Sequence, residues 1–212
     1  MLSDGIMELD NTAGDDTYVM SKQRLEAFTD GVLAVVITIM AIELKPPHSS
    51  NLSSLSSMVN VFISFTLSFA FVGIYWSNHH HLFHAVEKVN GWIIMANLHF
   101  LFWICLVPAT TSWMGETGFK KWSVIFYGID SFMLAVSYTI LVWLLVAHHG
   151  NDSVLAQSLA SDWKGKLSLA AYGLGIGLSF INGWIGFAIY VAVACIWAIP
   201  DRRFEKIPAA KL

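Results

Sequence analysis

Long apolar blocks alternate with short polar segments along the chain, and the length of the blocks is typical of membrane-crossing helices. The last block, residues 167–200, has 34 residues without a formal charge. It is too long for one span, and Asn182-Gly183 marks a turn within it. We therefore predict an all-α integral membrane protein with six transmembrane helices. The predicted spans are residues 24–45, 58–86, 89–115 (broken near its end by Pro108), 122–147 and two helices within 167–200.

The first predicted helix runs from Arg24 to Lys45, and Pro46-Pro47 closes it. Only twelve residues separate the charges of Asp30 and Glu43. They span roughly 18 Å of helix, against roughly 30 Å of bilayer hydrocarbon. Because carboxylates at membrane depth face a bundle interior or a water-filled cavity, we expect this helix in the middle of an assembly.

Beyond Arg24 at its start, one face of this helix is apolar except for a single hydroxyl, that of Thr38. With about 100° of rotation per residue, seven residues share the face, which we call the Val35 stripe. Helix packing is the commoner meaning of such a stripe and is favoured by the pattern alone. The alternative is a narrow pore whose apolar rings exclude water. The stripe consists of Arg24, Phe28, Gly31, Val35, Thr38, Ile39 and Ile42.

Three motifs of the first half resemble the transmembrane protein 175 potassium channel family. Arg24, Phe28, Thr29, Asp30 and Gly31 form R-x-x-x-F-T-D-G, which is similar to the R-x-x-x-F-S-D signature of that family, with Thr29 keeping the hydroxyl of the usual Ser. The other two are W-S-N-H-H-H-L-F at 76–83 and N-L-H-F-L-F-W-I-C-L-V-P at 97–108. The signature occurs once here, and the resemblance implies that such single-copy members are prokaryotic homotetramers.

The resemblance implies a potassium-permeable cation channel in which every chain contributes its first helix to a central pore. Val35, Ile39 and Ile42 are then expected to form a hydrophobic constriction, and Thr38 is the candidate selectivity residue. The chain lacks the T-V-G-Y-G carbonyl filter of other potassium channels, so we expect only modest preference for potassium over sodium. Glu43 is expected near the outer mouth, where it raises the local cation concentration.

Asp30 lies off the Val35 stripe, and its partner is expected on another helix because buried charges are paired. Asn78, His79 and Asn97 are the polar candidates at comparable depth. We interpret them with Asp30 as a helix-packing polar network that positions the first helix, rather than as groups that contact the ion.

A rival hypothesis rests on the cluster of histidines between His79 and His84 and on Asp130 within the fourth span. These residues suggest a transporter or a metal-dependent membrane enzyme. Membrane di-iron enzymes, however, need several separated His clusters with carboxylate support. We therefore expect no catalytic residue, no cofactor and no metal site, and the function of Asp130 stays open.

Composition indicates a membrane protein, and the distribution of positive charge predicts its orientation in the membrane. Of its residues 56% are hydrophobic and 13% charged, which is far from an average soluble domain. The sequence has no basic patch, so we expect no nucleic-acid partner. Nine of the 12 Lys and Arg residues lie on one side if both termini are cytoplasmic. We therefore expect both termini inside and, with the resemblance, a multi-pass protein of the bacterial inner (plasma) membrane.

The ends of the chain differ from its middle. Residues 1–21 hold five acids and no Lys or Arg, which predicts a disordered acidic N-terminal tail. Residues 22–204 are expected to form the channel domain, and residues 205–212 a short cytoplasmic tail.

Overall fold

The computed structural model describes residues 21–47, 58–86, 88–150 and 163–199, with the single positions 51, 55, 56, 153 and 156. Both predicted tails therefore lie outside the described residues, except for Ser21. The described part is all helical, as predicted. Its helices are α1 Lys22–Ile42, α2 Val59–His84, α3 Gly91–Ile104, α4 Val107–Glu116, α5 Lys121–His149, α6 Trp163–Ser179 and α7 Gly183–Ala198.

Four helical stretches are long and apolar enough to cross a membrane. They are α1, α2, the 26-residue stretch formed by α3 and α4, and α5. The last two helices have 17 and 16 residues, so each rises about 25 Å, slightly less than the hydrocarbon thickness.

The first helix begins at a cap that its sequence provides and ends earlier than expected. The Ser21 side chain accepts a hydrogen bond from the backbone nitrogen of Arg24 at 3.4 Å. The helix ends at Ile42, so the predicted end at Lys45 is wrong. Because Pro46 disfavours helical backbone at the residue before it, the last turn cannot continue up to the proline.

The third predicted span is two helices that a two-residue break separates. Pro108 has no N–H to donate to the carbonyl of Ile104, so the regular bonding pattern stops there. Cys105 and Leu106 form the break, and Pro108 lies in the first turn of α4. The interruption predicted near Pro108 is thus confirmed, and it makes α4 a separate short rod.

The turn predicted at Asn182-Gly183 joins α6 to α7. The Asn182 side chain accepts a hydrogen bond from the backbone nitrogen of Trp184 at 2.9 Å and caps α7. A Cβ at Gly183 would collide with the backbone carbonyl of Phe119, so the close approach requires glycine. The helices on either side of the preceding connection are longer than the predicted spans, since α5 continues to His149 rather than 147 and α6 begins at Trp163 rather than 167.

Helix α5 is the centre of the bundle and packs on α3, α4, α6 and α7, whereas α1 packs at one side on α2, α3 and α4. The face that α1 turns to its neighbours repeats every three or four residues, as expected for one helical face. It consists of Leu25, Thr29, Leu33, Val36 and Met40, all buried. The Val35 stripe therefore faces away from the bundle.

Candidate functional site

The two faces of α1 differ sharply in exposure, and neighbouring valines show it best. Val36 is 2% exposed against the bundle, whereas Val35 is 54% exposed. Ile42 reaches 75%, and the other residues of the Val35 stripe are exposed as well. In the single chain, the helix thus presents an uncovered face that combines apolar side chains with one hydroxyl.

The hydroxyl of Thr38 lies on this uncovered face. Its Oγ1 donates to the backbone carbonyl of Val35 at 2.8 Å, one turn back on the same helix. Because this bond uses the only hydroxyl hydrogen, the oxygen lone pairs remain available as acceptors. An oxygen in that state is able to accept a hydrogen bond or contact a cation.

A groove of about 750 Å³ runs beside the stripe, between α1 and the α3–α4 break. Its walls are mainly apolar, and its only formal charge is that of Glu43 near one end. The residues lining it on the far side are Cys105, Pro108 and Ala109.

Glu43 is held at the end of α1 by a residue of α4. The Ser112 hydroxyl lies 3.2 Å from Glu43 Oε2 and 3.3 Å from Glu116 Oε1. A serine has one hydrogen to donate, so the two carboxylates share a single donor. Glu43 is also half-buried, and its charge lies at the end of the stripe.

A buried polar cluster joins the opposite face of α1 to α2 and α3. Asn97 Nδ2 donates to Thr29 Oγ1 at 2.8 Å, and Asn97 Oδ1 accepts from His79 Nε2 at 2.9 Å. All three side chains are buried, so each bond satisfies a group that water does not reach. Two of the three predicted network residues, His79 and Asn97, thus meet on α1 at Thr29.

None of the three candidate partners of Asp30 forms a hydrogen bond with it in the described part of the chain. Its carboxylate accepts a hydrogen bond from Trp76 Nε1 at 3.0 Å, so the expectation of a partner on another helix is correct but the residue is different. Thr29, not Asp30, lies on the buried face, because successive residues of a helix point about 100° apart. Asn78 belongs to neither arrangement among the described residues. No local pattern in the sequence points to an indole N–H as the donor, because Trp76 and Asp30 are 46 positions apart.

Comparison with known proteins identifies the protein family. The family model described as "Endosomal/lysosomal potassium channel TMEM175" matches residues 24–108. The protein "Potassium channel HX13_20290" of Chryseobacterium sp. (strain P1-3) is 48% identical over 187 residues, which cover 88% of this chain and 97% of that protein. The chain belongs to the TMEM175 family.

Two further comparisons extend this assignment. The Homo sapiens protein "Endosomal/lysosomal proton channel TMEM175" is 36% identical over 83 residues, covering 34% of this chain and 16% of that protein. The crystal structure of a lysosomal potassium-selective channel TMEM175 homolog from Chamaesiphon minutus matches with a TM-score of 0.75. It is 24% identical and the match covers 84% of this chain and 96% of that one, which establishes the TMEM175 fold.

Membership in the TMEM175 family decides against the enzyme hypothesis, because the matched family and relatives are channels. The histidines of α2 contact aromatic rings and one another: His80 stacks on Trp76 at 6.2 Å and lies 6.1 Å from His84, ring centre to ring centre. Within the described ranges, no three His, Cys, Asp or Glu side chains converge as a metal site would require.

Asp130 lies in α5, apart from the Val35 stripe, and is buried. The Thr110 hydroxyl lies 2.9 Å from Asp130 Oδ2. The sequence did not predict that Thr110 bonds Asp130 or that Ser112 bonds Glu43, since the two residues of each pair belong to different helices, 20 and 69 positions apart. Thr110 and Ser112 are both on α4, the short rod that the break before Pro108 creates.

Proposed function

We propose that this chain forms a homotetrameric, potassium-permeable cation channel in which α1 of each chain lines a central pore. The observation that carries the proposal is the uncovered Val35 stripe on α1. Arg24 and Thr38 gain nothing from facing lipid, whereas in a pore their polar groups contact water and ions. Four copies around an axis shield this face from lipid and turn it toward a central pore.

The apolar residues of the stripe supply the constriction. Val35, Ile39 and Ile42 project from successive turns of the uncovered face, so four copies give stacked apolar rings. Water leaves a narrow apolar ring readily, and an ion cannot pass without its hydration. Opening therefore requires the rings to widen or to become wet.

Thr38 is the residue that gives a potassium preference. The Thr38 hydroxyl donates its hydrogen to the Val35 carbonyl, so the lone pairs of the Thr38 oxygen stay available. Four copies form a ring of these hydroxyl oxygens between the apolar rings. A potassium ion exchanges hydration water for these oxygens at lower cost than sodium, which holds water more tightly. One ring replaces a hydration shell less completely than stacked carbonyls do, so the selectivity is modest.

The setting of the channel is a bacterial plasma membrane, with both termini in the cytoplasm. The helical stretches long enough to cross a membrane support the membrane location, and the distribution of Lys and Arg supports the orientation. In this arrangement α6 and α7 also cross the membrane, so the C-terminus returns to the cytoplasmic side. Glu43 then lies at the outer mouth and attracts cations.

Reconstitution into liposomes tests the function directly. Under a potassium gradient the purified chain should pass current without any counter-substrate, and the reversal potential should lie nearer to that of potassium than of sodium. A parallel proton-flux measurement separates potassium from proton conduction. Crosslinking in mild detergent should reach a limit at four subunits; a monomer that still conducts would rule out the central pore.

Adjacent valines provide a matched test of which face lines the pore. Cys105 and Cys195 are free thiols, so both are first replaced by Ser. In that background, a water-soluble thiol reagent should block current through Val35→Cys and leave Val36→Cys unaffected, since only Val35 is uncovered. Block of Val36→Cys alone would place the pore on the other face.

A further inference from the structure

The carboxyl group of Asp130 is buried with unusually little support. Its Oδ2 has one partner, Thr110, and its Oδ1 has no hydrogen-bond partner. The residue is only 4% exposed, so other copies of the chain do not determine its surroundings. An ionised carboxylate in such a place normally accepts several hydrogen bonds or pairs with a cation.

The groups around Asp130 offer no positive charge. Within the described ranges, no Lys, Arg or His is within ion-pair distance of it. The titratable groups that face it are two phenols, Tyr75 on α2 and Tyr127 on its own helix. Of the helices packed on α5, α4 presents the uncharged Thr110 to Asp130, while α3, α6 and α7 present no charged group to it among the described residues.

The hydrogen bonds of Thr110 are compatible with a proton on the Asp130 carboxyl group. Its Oγ1 lies within reach of three acceptors: Asp130 Oδ2 at 2.9 Å, the Val107 carbonyl at 3.2 Å and the Leu106 carbonyl at 3.3 Å. Thr110 has one hydrogen. If Asp130 is ionised, that hydrogen must go to Oδ2 and the carboxylate receives a single bond. If Oδ2 carries a proton, Asp130 donates to Thr110, and Thr110 donates to its own helix.

We propose that Asp130 is a proton-binding site buried between α4 and α5. At neutral pH it holds a proton taken from water and donates it from Oδ2 to the Thr110 hydroxyl. Oδ1 is then the carbonyl oxygen of a neutral acid, which costs far less to leave without a partner than a charged oxygen. Alkaline solution removes the proton to hydroxide and leaves a buried charge against α4. The site itself does not depend on channel activity.

Infrared spectroscopy of the full chain in detergent tests the proposal. A protonated carboxyl group has a carbonyl band that a carboxylate lacks. At neutral pH the wild type should show this band and Asp130→Asn should lose it, while Glu116→Gln, which changes an exposed carboxyl at the end of α4, should keep it. The wild-type band should disappear in alkaline buffer.

A second variant keeps the test valid if Asp130→Asn does not fold. Thr110→Val removes the hydrogen-bond acceptor, so the band should remain and move to the higher frequency of an unbonded acid. Thr110→Ser keeps the acceptor and should leave the band in place. A wild type without this band at neutral pH would overturn the proposal and indicate an ionised Asp130. A band that ignores both Asp130→Asn and Thr110→Val would also overturn it, because the band would then come from another carboxyl group.

Discussion

The indole nitrogen of Trp76 donates a hydrogen bond to Asp30 across 3.0 Å and joins α2 to α1 at the edge of the Val35 stripe. One residue earlier on α1, Thr29 accepts the bond from Asn97. Two successive residues of the family signature therefore tie α1 to two different helices. Their neighbours Phe28 and Gly31 are exposed on the stripe. The signature thus combines residues that hold the helix with residues that face outward.

Replacing Trp76 by Phe should lower stability, because the Asp30 carboxylate loses its N–H donor. The expected loss is about 1 kcal/mol of unfolding free energy, measured as a lower thermal midpoint of the oligomer in detergent. Trp92→Phe, at a tryptophan that is 75% exposed, is the control and should change little. Asp30→Ala should destabilise similarly, and strictly additive effects of Trp76→Phe and Asp30→Ala would show that the two side chains do not interact.

Thr29→Val should destabilise the fold without directly altering ion preference. Valine keeps the shape of threonine but leaves Asn97 Nδ2 buried without its acceptor, at a cost of about 1–3 kcal/mol. The oligomer should therefore dissociate at a lower temperature, while any channels that form should retain the potassium preference of the wild type. A normal thermal midpoint for this variant would contradict the assigned bond.

Thr38→Val is the same substitution on the other face of the same helix, and the opposite outcome is expected. The side chain is exposed and bonds only its own helix, so the thermal midpoint should stay near that of the wild type. If Thr38 forms the proposed ring of oxygens, the variant loses it, so reversal potentials with potassium and sodium on opposite sides should move toward equal permeability. A conducting Thr38→Val channel with unchanged preference would place selection elsewhere.

Polar substitutions in the constriction should raise flux. Asn at Val35 or Ile42 gives the ring amide groups that hold water, which removes the barrier of a dry apolar gap. Cation flux into liposomes should increase for both variants, whereas Val35→Ile, which keeps the ring apolar, should not increase it. If well-folded Val35→Asn and Ile42→Asn channels carry only wild-type current, these residues serve packing.

Glu43→Gln should lower cation flux, and the effect should depend on salt. In the proposed pore, the Glu43 carboxylate attracts cations over a long range, and dissolved salt screens this attraction. The ratio of wild-type to variant flux should therefore be largest at low ionic strength and approach one at high ionic strength. A ratio independent of salt would indicate that Glu43 acts through its contact with Ser112 instead.

Much of α1 was predictable because its pattern is local. The stripe depends on residues three or four apart, and the helix geometry alone puts Phe28, Val35 and Ile42 on one side. The stop near Pro46 and the break before Pro108 follow from the missing proline N–H and its restricted neighbours. Length and hydropathy likewise predicted the helices, although their ends shifted by a few residues.

Pairings between helices were not predictable in the same way. Asp30 and Trp76 are 46 positions apart, and Thr29 and Asn97 are 68 apart. Which of two adjacent polar residues meets a given partner depends on a rotation of about 100°, and the packing of α1 against α2 and α3 sets that rotation.

The sequence by itself determined an apolar helical chain, the Val35 stripe of α1 and the family to which its signature points, because periodicity, span length and short motifs are local properties. Only the tertiary structure decided that the Val35 stripe is uncovered in the single chain, and that Thr29 and not Asp30 is buried. It also decided that α4 reaches Glu43 through Ser112 and Asp130 through Thr110, and that no cation among the described residues lies beside Asp130. These relations depend on side chains that meet after the helices pack, where a small change in helix rotation replaces one partner with another.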